Sequence, residues 1–107
     1  MWHKVAEVSE LGPGEVGTVY VGTRELAVCN LDGTYHAVTG LCPHQGGSLG
    51  DGYLDGHRLV CPLHGWTFDV RTGEAGEPMQ PGRVNTFPVK VEDGGLWVEV
   101  PDDFQQP

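Results

Sequence analysis

Between positions 42 and 64 the chain reads Cys-Pro-His-Gln-Gly-Gly-Ser-Leu-Gly-Asp-Gly-Tyr-Leu-Asp-Gly-His-Arg-Leu-Val-Cys-Pro-Leu-His. The stretch opens with Cys-x-His, closes with Cys-x-x-His, and holds glycines and Asp-Gly turns between them. It carries too few apolar side chains to hold itself together, so it must pack onto neighbouring strands or be crosslinked from within. Cys42 and His44 are one residue apart, Cys61 and His64 two, with sixteen residues from Gln45 to Val60 between the pairs. Thiolate and imidazole are the donors used by zinc, copper and iron–sulfur centres, so these four side chains form a complete candidate ligand set. The proline after each cysteine fixes its own φ and pushes the cysteine into an extended conformation, which stiffens the loop before any metal arrives. Gly46, Gly47 and Gly65 let backbone N–H groups approach closely, an arrangement suited to sulfur atoms that gain negative charge.

The donor set alone fits two kinds of centre. Two cysteines and two histidines satisfy one tetrahedral zinc ion, although zinc modules usually bring their cysteines as C-x-x-C pairs. Here each loop supplies one short donor and one long one. That mixed supply suits two adjacent metal ions, with cysteines on the inner ion and the longer imidazoles reaching the outer one.

The flanks read as strands. Val16 to Val21 and Glu25 to Leu31 are β-branched or apolar runs joined by Gly22-Thr23, and Asp32-Gly33 then turns the chain into Thr34 to Val38. Thr86 to Val91 and Leu96 to Val100 flank Asp93-Gly94, a second hairpin signal. No window long enough for a helix keeps a 3.6-residue period, and seventeen glycines and eight prolines make long helices unfavourable. The expected fold is all-β and antiparallel, one domain over 1–107, with a glycine-rich excursion at about 41–71. No internal repeat stands out.

The balance of 6 basic against 15 acidic residues gives a net charge of −9, which repels nucleic acid and anionic lipid and points to a partner bearing a basic patch. Met1 to Glu7 contains no apolar run resembling a signal peptide, and nothing later is apolar enough to span a bilayer, so a cytoplasmic location is expected. Three cysteines, an odd number, favour metal or redox chemistry over a disulfide framework. Gly12 to Gly17 matches G-x-G-x-x-G, but strand-forming residues follow it and Glu15 would face a pyrophosphate, so it reads as a turn. Cys29 alternates with Ala27 and Leu31 and reads as a small core residue. His3, His36 and His57 have no Cys or carboxylate at ligand spacing, and Trp2, Trp66 and Trp97 read as packing residues.

The pair Cys42-Pro43-His44 and Cys61-Pro62-Leu63-His64-Gly65 resembles the C-x-H…C-x-x-H signature of Rieske [2Fe–2S] proteins. The resemblance runs on through Leu49 to Gly56, Phe68 to Gly73 and Phe87 to Gly94, and within the family it is nearest to the small bacterial Rieske-type ferredoxins. It implies stacked antiparallel sheets carrying a small cluster-binding subdomain, and one [2Fe–2S] cluster held by Cys42, His44, Cys61 and His64. It also implies an electron carrier rather than an enzyme, since four protein ligands leave no open position for a substrate. The partners implied are a ferredoxin reductase and a terminal oxygenase, with the His44 and His64 edge as docking face. The oxygenases of this family add a mononuclear iron in a larger catalytic domain, for which this chain has no room. The signature also resembles the small subunit of assimilatory NAD(P)H nitrite reductase, which leaves the large subunit of that enzyme as an alternative partner.

Neutral imidazole ligands leave the oxidised cluster uncharged where four thiolates would leave it dianionic, which places Rieske potentials at about −150 to +300 mV against about −400 mV for plant-type ferredoxins. In the cytochrome bc branch a disulfide joins the two loops, and a serine and a tyrosine donate hydroxyl hydrogen bonds to cluster sulfurs. Gly47 and Leu63 stand at the disulfide positions, and Trp66 and Phe68 at the hydroxyl positions. The resemblance therefore implies an unstapled cluster near the bottom of the range, about −150 mV. Gly76 to Gly82, with Pro78 and Pro81, resembles the family's proline-containing third loop that shields the cluster.

Overall fold

The computed structural model describes residues 1–42, 47–63, 65–76 and 82–101. Ten strands account for its regular structure: β1 (Trp2–Glu7), β2 (Val16–Val21), β3 (Arg24–Leu31), β4 (Thr34–Thr39), β5 (Tyr53–Asp55), β6 (Arg58–Val60), β7 (Thr67–Asp69), β8 (Thr86–Phe87), β9 (Val89–Glu92) and β10 (Gly95–Glu99). Among the described residues there is no α-helix, only two short 3-10 turns at Val8–Glu10 and Leu49–Asp51. No helix there is long and apolar enough to cross a membrane. The all-β antiparallel expectation holds.

The strands form three antiparallel sheets, ordered β1-β10-β9, β2-β3-β4-β8 and β5-β6-β7. The four-stranded sheet lies between two cores because β3 is buried on both faces. Ala27 and Cys29 turn to one core with Leu59, Phe68 and Val70 of the excursion; Leu26 and Val28 turn to the other with Leu96 and Val98. A strand buried on both sides loses the apolar/polar alternation, and Leu26 to Asn30 reads as one unbroken buried run. Asp32-Gly33 and Asp93-Gly94 both have positive φ at both residues, the type I′ geometry whose twist matches the strands they join. Of the Gly12 to Gly17 match, Gly12 to Glu15 form the turn before β2, with Gly14 at φ +82°, and β2 starts at Val16.

Two differences from the sequence reading have physical causes. Thr86 to Val91 is not one strand: β8 pairs with β4 while β9 pairs with β10. Pro88 lies between them, lacks an N–H for any ladder, and instead accepts a hydrogen bond from Glu99 N–H. The N-terminal strand β1, which the sequence reading left out, pairs with β10 through a bulge between Lys4 and Ala6. On its outer face the Lys90 ammonium sits 4.7 Å from the Trp2 ring and 5.7 Å from the Trp97 ring, tying together all three strands of that sheet.

The excursion packs rather than floats. Leu49, Leu59, Phe68 and Val70, all within 41–71, are fully buried against Ala27, Cys29 and Val38 of the four-stranded sheet. The chain leaves β7 through a turn organised by Asp69, whose carboxylate accepts from Arg71 N, Nε and Nη2 at 2.9, 3.1 and 2.9 Å. Hydrogen bonding from Arg71 holds the Asp69 carboxyl down at about 2. A carboxyl depressed below its unfolded value stabilises the fold above about pH 4, and that contribution is lost as pH falls towards 2. Asp69→Asn is therefore expected to cost about 1 kcal/mol at pH 7, discounted for the exposed guanidinium. The difference from the parent protein should shrink as urea titrations are repeated at lower pH, and a pH-independent difference would contradict the assignment.

Candidate metal centre

The two loops that carry the candidate ligands are closed in the same way. Leu41 bridges Ser48 across the first loop, and Val60 pairs with Thr67 across the second, so each encloses six residues. Each is closed by the same hydrogen bond: Cys42 N–H donates to Gly47 O at 2.8 Å, and Cys61 N–H donates to Trp66 O at 2.7 Å. Leu41-Cys-Pro-His-Gln-Gly-Gly-Ser48 thus lies in register with Val60-Cys-Pro-Leu-His-Gly-Trp-Thr67. The sequence reading found no repeat because only Cys, Pro and one Gly coincide. The signal available was the equal offset of five from each cysteine to its loop's last residue.

The closures set both cysteines at the base of their loops, where Cys42 is 2% and Cys61 1% exposed. Both belong to the core that includes Phe68, Leu49 and Leu59. Neither forms a disulfide. The two thiols are neighbours, and burial first, then the Cys42 thiol, pushes the Cys61 thiol up from its ordinary value, with the Leu63 backbone opposing. A buried pair of adjacent thiols ionises readily only if a cation sits between them, because metal binding supplies the charge that solvent cannot. The donor chemistry and the buried, paired placement therefore fit a metal–sulfur centre held from both loops.

His44 and His64 lie outside the described residues, as do Pro78 and Pro81 of the third loop. The ends of that loop are anchored beside the second hairpin: Gly76 N–H donates to Thr67 O and Ala75 N–H to Gly82 O, both at 2.9 Å. Gly76 has no room for a side chain, since a Cβ there would meet Thr67 Oγ1 and Arg58 Nη1. Among the described residues no group of three or more His, Cys, Asp or Glu side chains offers another metal site. The Gly47 and Leu63 positions, expected to face each other across the loops, do so: a Cβ on Gly47 would lie 2.8 Å from Leu63 Cδ1.

The remaining candidates fall away from the centre or behind it. Cys29 is buried with its thiol pushed up to about 11 by desolvation, which makes it inert. His57 is half-buried with Nδ1 3.4 Å from Asp69 Oδ2, a carboxylate partner that sequence spacing hid because β6 and β7 bring it across the sheet. His36 is lowered by burial, with Asp69 opposing. Trp66 packs half-buried on the ligand core, and Phe68 is fully buried in it.

Known proteins share this fold. The family model for the Rieske [2Fe–2S] domain matches residues 1–88. The ferredoxin component of a naphthalene 1,2-dioxygenase system from Pseudomonas putida is 37% identical over 99 residues, covering 92% of this chain and 95% of that protein. The structure of a Sphingomonas yanoikuyae B1 ferredoxin superposes with a TM-score of 0.86 at 35% identity, covering 94% of this chain and 100% of that one. A chain from the complex of reduced oxygenase and oxidised ferredoxin in carbazole 1,9a-dioxygenase superposes with a TM-score of 0.82 at 35% identity, covering 91% of each.

Changing Cys42, His44, Cys61 or His64 singly to Ala is expected to abolish or alter the cluster's visible and EPR spectra. Cys29→Ala should leave both unchanged while lowering stability by about 1 kcal/mol for the small cavity it opens. A spectrum untouched by any one of the four substitutions would remove that residue from the set.

Proposed function

The chain belongs to the Rieske [2Fe–2S] domain family, and on that premise we propose that Cys42, His44, Cys61 and His64 hold its cluster and that it delivers single electrons from a reductase to a terminal oxygenase. It is an electron-transfer component rather than an enzyme, as its relatives are. We read residues 1–107 as one domain working in the cytoplasm, where unpaired cysteines stay reduced. The single observation that carries the ligand reading is the pair of loops closed in the same way, each placing a buried cysteine at its base and each with a histidine two or three residues on in sequence.

When bound, the cluster takes up one electron and gives it up again. The chain's residues do the rest. Cys42 and Cys61 bind as thiolates and release their protons on assembly, while His44 and His64 bind as neutral imidazoles. Burial of the thiol pair in the core excludes water from the sulfur side. The backbone N–H of Leu63 donates to the Cys61 sulfur and so stabilises negative charge there. Trp66 and Phe68 bring apolar rings with no hydroxyl to the same core, which supports a potential near the low end, about −150 mV.

The oxygenase reading is favoured over the nitrite-reductase one by the relatives: a dioxygenase-system ferredoxin and a chain from a complex of oxygenase and ferredoxin match nearly the whole chain. The net charge of −9 supports a partner with a cationic docking face. Asp51, Tyr53, Asp55, Pro62 and Leu63 of the excursion are all exposed and offer such a partner acidic and apolar groups.

Two measurements test this reading. Trp66→Ser and Phe68→Tyr should each raise the midpoint potential in voltammetry, and no rise would defeat the hydroxyl account of the tuning. Electron delivery to a Rieske oxygenase, followed by stopped flow, should slow several-fold between low and 0.5 M salt as screening removes steering (Debye length about 10 Å at 0.1 M). A rate indifferent to salt would exclude a charge-steered encounter.

A further inference from the structure

Each closing hydrogen bond lies within its own loop, so neither holds one loop to the other. The Leu63 side chain does cross. An ideal Cβ on Gly47 would lie 2.8 Å from Leu63 Cδ1, 3.0 Å from its Cγ and 3.4 Å from Cys61 Sγ. The isobutyl group of the second loop therefore rests on the backbone of the first, beside the ligand sulfur, and only a residue without a side chain fits beneath it. Leu63 is still 40% exposed, so its outer side meets solvent while its inner side covers the loop junction. Its sequence equivalent in the first loop is His44, so Leu63 stands where the other loop has its candidate histidine.

We propose that Leu63 is a positioning residue: seated on Gly47, it clasps the two ligand loops together without a covalent link and keeps water from the Cys61 sulfur. The proposal rests on the ligand reading above. Two consequences follow from the geometry. Loss of the clasp lets the loops separate and releases iron faster. Entry of water beside the sulfur stabilises the more negative, reduced form and moves the potential upward.

The test is made on the cluster-loaded protein, with iron release to a ferrous chelator and midpoint potential as readouts. Leu63→Ala is expected to speed iron release about tenfold, as loss of part of a buried leucine's packing implies, and to raise the potential. Leu63→Met, which can still cover Gly47, should restore both. The Leu63 Cγ position puts Cβ atoms at 47 and 63 within about 4.5 Å of each other, inside the range a disulfide bridges. Gly47→Cys combined with Leu63→Cys, oxidised by glutathione disulfide, should therefore release iron more slowly than its own reduced form. Parental release rate and potential in Leu63→Ala, or no difference between the oxidised and reduced double variant, would overturn the clasp. Failure of the ligand reading looks different: a Cys42, His44, Cys61 or His64 variant would then keep the parental spectrum.

Discussion

Two hydrogen bonds, from the N–H of each loop cysteine to the carbonyl five residues on, set the geometry on which the rest of the molecule depends. They close two glycine- and proline-rich segments in the same way and set each cysteine, buried, at the base of its loop. Without them the excursion would be a long loop with reactive residues at scattered positions. With them, both sulfurs enter the core that already contains Phe68, Leu49 and Leu59. The candidate metal centre is thus an extension of the hydrophobic core, and its two cysteines are dry because that core is.

The three-sheet arrangement explains how so small a chain supports such a site. The four-stranded sheet has a core on each face; the sheet of β1, β9 and β10 seals one, and the sheet of β5, β6 and β7 seals the other. Strands β5, β6 and β7 are three residues each, too short to be stable alone, and gain their stability by laying Leu59 and Phe68 on Ala27, Cys29 and Val38. Burying the thiols has a chemical consequence. It raises the cost of ionising Cys61, so the loops favour thiolate only where a cation compensates, which couples site formation to cluster binding.

Much of this was legible in the residues. The Asp-Gly turns and β-branched runs located β2, β3, β4 and β10 because local turn chemistry dictates them, and the Cys-Pro and His spacing pointed to the ligand set. The short strands of the excursion were hidden because three residues carry no periodicity, and β1 because its partner, β10, lies at the other end of the chain. The His57–Asp69 contact arises only from cross-strand register. The break at Pro88 was readable in principle, since a proline inside an otherwise continuous strand pattern is a known interruption. The like closure of the two candidate loops was hidden because only Cys, Pro and one Gly coincide between them.

The central claim is that two thiolates and two imidazoles, one of each from either hairpin, hold one iron–sulfur cluster. ENDOR on the reduced protein with all histidines labelled by nitrogen-15 tests it most directly. The account predicts strong couplings to two histidine nitrogens, one of which disappears in His44→Ala and the other in His64→Ala. A reduced cluster showing no histidine coupling, or purified protein containing zinc in place of iron and sulfide, would contradict it.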